Sequence, residues 1–332
     1  MKLVPIAGAA GRPGRGLLLE RAGRWGPSVA IWALLLLVPL WLPLIGGYEG
    51  LASRTLIFAL GAMGLNLLMG FTGGMSFGHA AYFGLGAYGT GLMLKFVTAS
   101  TPLALVAGVA LGGIVATLMG PILVRRRGVY FAMITIAIAQ MFYFIAVRWN
   151  SLTGGEDGLS GFARTPLHFG SLAVPLNDVN FYYFTLFCFA VGCVAITGIL
   201  NSPLGHGFVA VRENTRRLRF LGVSVERVLW IAFAISGFIT ALAGSLNALL
   251  NNFTSPLDLY WTLSGDLVII AVLGGMRNFW GPLVGAIIFV VVQDYVSSLT
   301  VNWMSFIGLI FVLAVLFFPK GLLGWLPRRA RA

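Results

Sequence analysis

The chain has 332 residues, 58% of them hydrophobic and only 10% charged, where a soluble chain would carry about 25% charged residues. That balance excludes a soluble enzyme or binding domain and indicates a polytopic membrane protein surrounded by lipid. The formal charge of +12 does not indicate a nucleic-acid partner, because the basic residues lie between apolar runs and form no continuous patch.

Lys2, Arg12, Arg15, Arg21 and Arg24 mark residues 1–27 as a cytoplasmic N-terminal tail. The run after it, 28–45, is too long for a signal core and lacks a small-residue cleavage site, so a retained first helix is expected. Spanning-length runs of about 20 residues then fall near 28–46, 54–71, 76–95, 102–123, 129–148, 181–200, 228–250, 262–275, 281–298 and 303–319. The expected fold is an all-α transmembrane bundle over 28–319 with about ten spans. Eight or nine remain open, because 262–275 is short and 76–95 is rich in glycine. Of the 22 Lys and Arg, all but Arg54, Lys95, Arg148 and Arg164 fall on one side of a ten-span arrangement. The positive-inside rule therefore puts both termini in the cytoplasm, including the basic tail 320–332. Trp149, Tyr260, Trp261 and Trp303 then mark outer boundaries, and Trp25 and Trp325 inner ones.

Residues 65–88, LNLLMGFTGGMSFGHAAYFGLGAY, stand out. A lipid anchor would use Leu rather than Gly. Dense small residues instead let backbones pack closely or let a helix break where it lines a cavity. Gly73, Gly74, Ser76, Gly78, His79 and Gly84 are therefore translocation-path candidates. For His79, hydrogen bonding at the broken helix is favoured over direct substrate contact, and metal binding lacks partners, since His168 and His206 lie elsewhere. The span at 102–123, with Gly108, is expected to be peripheral. Gly73-Gly74-Met75 recurs as Gly274-Gly275-Met276, and at the same offset Gly84 matches Gly285, a weak sign of repeated halves.

The external loop 149–180 contains TGGEDGLSGF, whose Glu156 and Asp157 are candidates for docking an external partner, against an ordinary turn-rich loop. Its position between spans excludes a phosphate loop. Cys188 and Cys193 do not share a helix face and are expected to be free thiols in the packing. The inner loop 201–227 holds RENTRRLRFLGV, a short basic helix with apolar contacts from Val209, Leu218 and Leu221 and a C-cap at Gly222. Such a helix fits a groove on another protein; the alternative is a solvated loop. Asp266 is a further path candidate as a membrane acid, although Ser264-Gly265-Asp266 also reads as a capped helix start. Asp294 is expected to be wet. No metalloprotease, nucleophile-elbow or Walker motif is present, so ATP would have to be used by partner subunits.

NLLMGFTGGMSFGHAAYFGLGAY, RRRGVYFAMITIAIAQM, TGGEDGL, RENTRRLRFLGV, AVLGGMRNFWGPLVGA and VLFFPKGLLGWL, in that order over about residues 55–326, resemble the membrane-permease subunits of branched-chain amino-acid ABC importers. The M-type subunit is closer than the H-type. The resemblance implies a bacterial inner-membrane protein forming a heterodimer with a sister permease, served by two cytoplasmic ATPases and a periplasmic solute-binding protein. It implies no cofactor in this chain. The loop with Val209, Arg212, Glu213, Asn214, Arg216, Arg217, Leu218 and Gly222 corresponds to the ATPase-coupling loop of such importers. Arg217 and Leu218 stand where many relatives have paired alanines. Cargo in the family extends to urea, amides and aromatic or dicarboxylic acids. The rival readings are a membrane enzyme, for which the spans lack clustered ionisable residues, and a secondary carrier or channel.

Overall fold

A computed structural model describes residues 16–43, 46–126, 128–169, 172–300, 302–317 and 321–325. Lys2, Arg12, Arg15 and most of the basic C-terminal tail lie outside the described residues. The chain divides into two compact units, Met1–Gly47 and Tyr48–Ala332. The first contains α1 (Gly16–Trp41). The expected tail 1–27 is thus helical from Gly16 onward, because Leu17, Leu18, Leu19, Glu20, Arg21 and Ala22 are good helix formers and an apolar run marks only the lipid-suited part of a helix.

The second unit is built from helices, and each expected apolar run within it is occupied by one. In order these are α2 (Glu49–Asn66), which continues as a π-helix (Leu67–Thr72), α3 (His79–Phe96), α4 (Thr101–Leu123), α5 (Val129–Arg148), the single turn α6 (Asn150–Thr153), α7 (Asp178–Leu200), α8 (Pro203–Glu213), α9 (Thr215–Phe220), α10 (Val225–Asn251), α11 (Trp261–Gly274), α12 (Gly281–Leu299) and α13 (Trp303–Phe317). Among the described residues six helices are long and apolar enough to cross a membrane: α2 with its π-turn, α4, α5, α7, α10 and α12. The loop 149–180 also holds a small antiparallel hairpin, β1 (Leu167–Phe169) with β2 (Leu172–Val174), Leu167 facing Val174. The all-α expectation missed it, because three-residue strands leave too little alternation to read.

The core lies where α3, α4 and α10 meet. Gly86 and Gly89 of α3, Gly108, Gly112 and Gly113 of α4, and Gly237 and Gly244 of α10 all sit where a Cβ would strike a neighbouring helix. The Gly86 carbonyl accepts hydrogen bonds from Thr90 Oγ1 (3.0 Å) and Ser245 Oγ (3.1 Å). Without a hydrophobic driving force between helices in lipid, close backbone contact and such hydroxyl bonds hold them together. The expectation that 102–123 is peripheral is therefore corrected: α4 turns its glycine face into the core and Leu103, Val106, Leu111, Ile114 and Leu118 outward. Composition alone gave α4 a strongly apolar sequence with no sign of which face was covered. By contrast α2 is buried on nearly all sides, 89% of its apolar window being covered against 22% for α5.

The two Gly-Gly-Met copies occupy equivalent places. Gly73 (φ +81°) ends the π-turn of α2 and Gly275 (φ +111°) ends α11, and α3 and α12 each start within six residues. The second turn also touches α2: Asn66 Nδ2 donates to Asn278 O (3.2 Å).

Gly108→Leu should destabilise the purified protein, since overpacking a core position costs about 1–3 kcal/mol. Gly198→Leu in α7, where an added Cβ meets nothing within 4 Å, should be neutral or slightly stabilising. Melting temperatures in detergent would decide, and equal melting of both variants would contradict the packing described.

Candidate functional site

The segment 73–78 is not helical; Ser76 and Gly78 are buried, Gly74 and Phe77 are half-buried, and Gly73 and Met75 reach the surface. Ser236 of α10 donates to the Gly64 carbonyl of α2 (2.5 Å) and also meets His79, the first residue of α3. Helix α3 therefore begins level with Gly64, and α2 runs eight residues further, about 12 Å at the helical rise. Residues 73–78 cover that depth as irregular chain, starting from the left-handed Gly73 (φ +81°). Backbone N–H groups in such a place need partners within the protein. Phe77 N donates to Thr135 Oγ1 of α5 (3.1 Å), Gly78 N to Ser76 Oγ (3.4 Å), and Ala80 N to Ser264 Oγ of α11 (2.8 Å). Three hydroxyls thus satisfy the open end of α3. Gly78 is required here, since a Cβ would strike the Thr135 backbone.

His79 is fully buried, against Tyr82 and Phe233 at ring distances of 5.9 and 6.0 Å. Its Nδ1 lies 2.9 Å from Ser76 Oγ and its Nε2 2.6 Å from Ser236 Oγ. Because the Ser236 hydroxyl proton is given to Gly64 O, Ser236 Oγ must accept from Nε2–H, and Nδ1 then accepts from Ser76. The tautomer is assigned by this chain of bonds. Both ring nitrogens are occupied, tying α2, α3 and α10 together.

Gly73 and Gly74 face an open cleft of about 220 Å³, shared with Thr72, Arg126, Phe131, Arg212 and Thr215. The cleft joins the broken segment to α8 and α9, which sequence analysis treated separately. Only one short basic helix was expected in 201–227; there are two, because Asn214 ends α8 in extended conformation (φ −157°, ψ 95°) and its side chain caps α9 by accepting from Arg217 N (3.0 Å). Gly222 (φ +76°) closes α9, with Gly222 N bonded to Arg219 O and Val223 N to Leu218 O, the paired bonds of a Schellman motif. Phe208, Val211 and Leu218 are buried and Val209 is half-buried. Leu221, expected to make apolar contacts, is 72% exposed and Phe220 90% exposed, beside exposed Arg216, Arg217 and Glu213. Arg219 pairs with Glu226 at 2.6 Å.

Arg212 points the other way. Its guanidinium donates to Gly70 O and, at 3.5 Å, to Met69 O, carbonyls at the end of the π-turn that have no helical partner. Burial, and then the nearby Arg277, lower its pKa from the ordinary guanidinium value.

The other path candidates lie elsewhere. Gly84 packs on Leu259 of the 3₁₀ turn Pro256–Leu259. Asp266 lies inside α11 and is half-buried, beside Gly265, where an added Cβ meets nothing within 4 Å. The capped helix start read at Ser264-Gly265-Asp266 is corrected: α11 starts at Trp261, and Ser264 caps α3 instead of its own helix. Asp294 accepts from Tyr48 Oη (2.9 Å) at an exposed site.

Glu156 and Asp157 are exposed on the 3₁₀ turn Gly155–Asp157. Gly154, Gly155 and Gly158 all have positive φ and crowded surroundings, and Leu159 and Thr254 exchange backbone bonds (2.8 and 3.1 Å). The two carboxylates are therefore presented from an anchored loop. Under it, Asp258 accepts from Ser255 N (3.1 Å) in a capping box, near the Tyr88 hydroxyl, which has no partner. Burial pushes the Asp258 pKa up to about 6. Asp258, Thr135 and Ser236 were not expected at a site from the sequence; single polar residues in or beside apolar runs were the available signal.

Residues 47–316 match the family described as branched-chain amino acid transport system, permease component. The chain belongs to that family. The LivM high-affinity branched-chain amino acid permease protein of Escherichia coli K12 is 29% identical over 88% of this chain and 73% of its own. A probable LivM of Methanocaldococcus jannaschii is 23% identical over 80% and 90%. The autoinducer 2 import permease LsrC of Escherichia coli K12 DH10B is 27% identical over 84% and 80%. No solved structure shows significant similarity to the chain. The chain is an integral membrane permease.

Two outcomes follow. His79→Ala leaves the buried Ser76 hydroxyl without its acceptor and cuts the link to Ser236, and should cost about 1–3 kcal/mol, with transport falling only in proportion to folded protein; intact stability with abolished transport would indicate substrate contact instead. Asp258 takes up its proton more readily when folded than unfolded, so stability should decrease as pH rises from about 4 to about 6 and level off above. Asp258→Asn should flatten that slope in melting experiments, and an unchanged slope would contradict it.

Proposed function

We propose that this chain is the membrane permease subunit of a bacterial ATP-binding-cassette importer in the inner membrane, crossing it ten times with both termini in the cytoplasm. With a sister permease it forms the path for branched-chain or related amino acids, delivered by a periplasmic binding protein that docks at Glu156 and Asp157. Two cytoplasmic ATPases drive the cycle, one of them seated on α8–α9. Domain limits follow: an N-terminal tail, the membrane domain 28–319 and the basic tail 320–332.

The family match over 47–316 carries this reading. The exposed tip of α9 supports the ATPase seat. Phe220 and Leu221 beside Arg216 and Arg217 offer apolar area and positive charge for a groove with an acidic rim. The chain carries no phosphate loop of its own. The orientation rests on the excess of Lys and Arg at the end bearing 124–128, 201–227 and 276–280. The amino-acid cargo rests on the LivM relatives, and the LsrC relative marks how far cargo ranges among similar permeases.

Proteoliposomes containing this chain, its sister permease and the ATPases should accumulate leucine, isoleucine or valine only with ATP inside and the binding protein outside. The purified single chain should not hydrolyse ATP. Uptake driven by an ion gradient without ATP would establish a secondary carrier and overturn the proposal.

A further inference from the structure

The reading above assigns the whole basic loop to ATPase contact, and Arg212 does not fit that assignment. It stands one residue from the end of α8, and its guanidinium is turned into the protein. The side-chain stem lies on Gly73, whose missing Cβ would be 3.4 Å from Arg212 Cγ. Its head holds the Met69 and Gly70 carbonyls, which the end of the π-helix at Gly73 leaves without helical partners. Gly70 is itself a crossing point. A Cβ there would lie 3.1 Å from Arg277 N, in the turn that links α11 to α12, while Asn66 one turn back bonds Asn278 O. One guanidinium thus fastens α8 to the place where α2, the 73–78 segment and the 275–280 turn converge.

We propose that Arg212 is the positioning residue through which displacement of α8 is passed to the broken α2–α3 segment, opening or narrowing the cleft that the two share. The connection is directional for a chemical reason. Phe208 and Val211 bury their side chains beneath α8, and apolar contacts of that kind tolerate sliding. A charge-assisted bond to two fixed carbonyls does not. From Gly73 the chain runs only six residues to His79 and its bond to Ser236 of α10, which in turn holds Gly64 of α2, so a pull on the end of the π-turn has little slack to absorb it.

This inference rests on the importer reading, and its test separates the two. ATP hydrolysis and solute uptake are measured on the same proteoliposomes holding the full complex. Arg212→Gln should still hydrolyse ATP but move about tenfold less solute per ATP, a loss within the usual range of coupling energies. Arg212→Lys, which keeps a charged donor, should recover part of the ratio. In a Thr72→Cys background, the rate of maleimide labelling in the cleft should differ between nucleotide-free and ATP-bound complexes, and Arg212→Gln should abolish that difference. An unchanged ratio of solute to ATP overturns the proposal. So does a parallel fall of both activities, which simple docking would give, or failure of both variants to assemble, which would make Arg212 a folding element only. A wild-type complex without ATP-dependent uptake would overturn the importer reading instead, while the labelling comparison would still report on Arg212.

Discussion

A six-residue break between α2 and α3, buried at Ser76 and Gly78, imposes the constraint around which the rest is arranged. Gly73 and Gly74 still bond Leu68 O at the end of the π-turn, but the N–H groups of Phe77, Gly78 and Ala80 have no helical partner, and lipid offers them nothing. Thr135, Ser76 and Ser264 supply the acceptors from three elements, so α5 and α11 must lie where those hydroxyls reach. His79 then fixes α3 against α2 and α10 through the two serines. The glycine contacts among α3, α4 and α10 follow from the same need, since side chains between these helices would hold the bonding groups too far apart.

This arrangement also explains why the segment is a candidate for moving parts. Irregular backbone held by a few side-chain bonds has fewer constraints per residue than helix, and local opening starts where such constraints are sparse. Gly73 and Gly74 form one wall of the cleft and α8 and α9 another, so a shift of either element changes its shape. At the other end of the helices, the glycine turns around Glu156 and Asp157 and the bonded pair Leu159–Thr254 form an anchored surface. A family of permeases that receives solute at one face and force at the other needs both kinds of surface.

Much of this was legible from residues. Apolar runs located every long helix of the second unit, because length and hydropathy are local properties. The broken helix was legible at Gly73, Gly74 and Gly78, and the preference for bonding at His79 agrees with its two occupied nitrogens. What could not be read depended on facing. Gly108 looks the same in a lipid-facing helix and in one pressed onto Gly86. Ser264 looked like a cap for its own helix, because its true partner, Ala80, lies 184 positions away. Arg212 and Arg216 have identical chemistry, and only the end of the π-turn distinguishes the buried one from the exposed one. The two helices of 201–227 were merged because Asn214 acts as a break and a cap at once, whereas Asn in a basic stretch carries no such label.

The account depends most on the two functional surfaces facing opposite compartments, with the tip of α9 toward the ATPase. Labelling by a membrane-impermeant thiol reagent tests this directly, since the native Cys188 and Cys193 are buried and free and contribute little background. Phe220→Cys should react in inside-out vesicles only and be protected when the ATPase binds, while Asp157→Cys should react in right-side-out vesicles only. Labelling of both from the same side, or of Phe220→Cys from outside, would contradict the orientation and with it the assignment of the two surfaces.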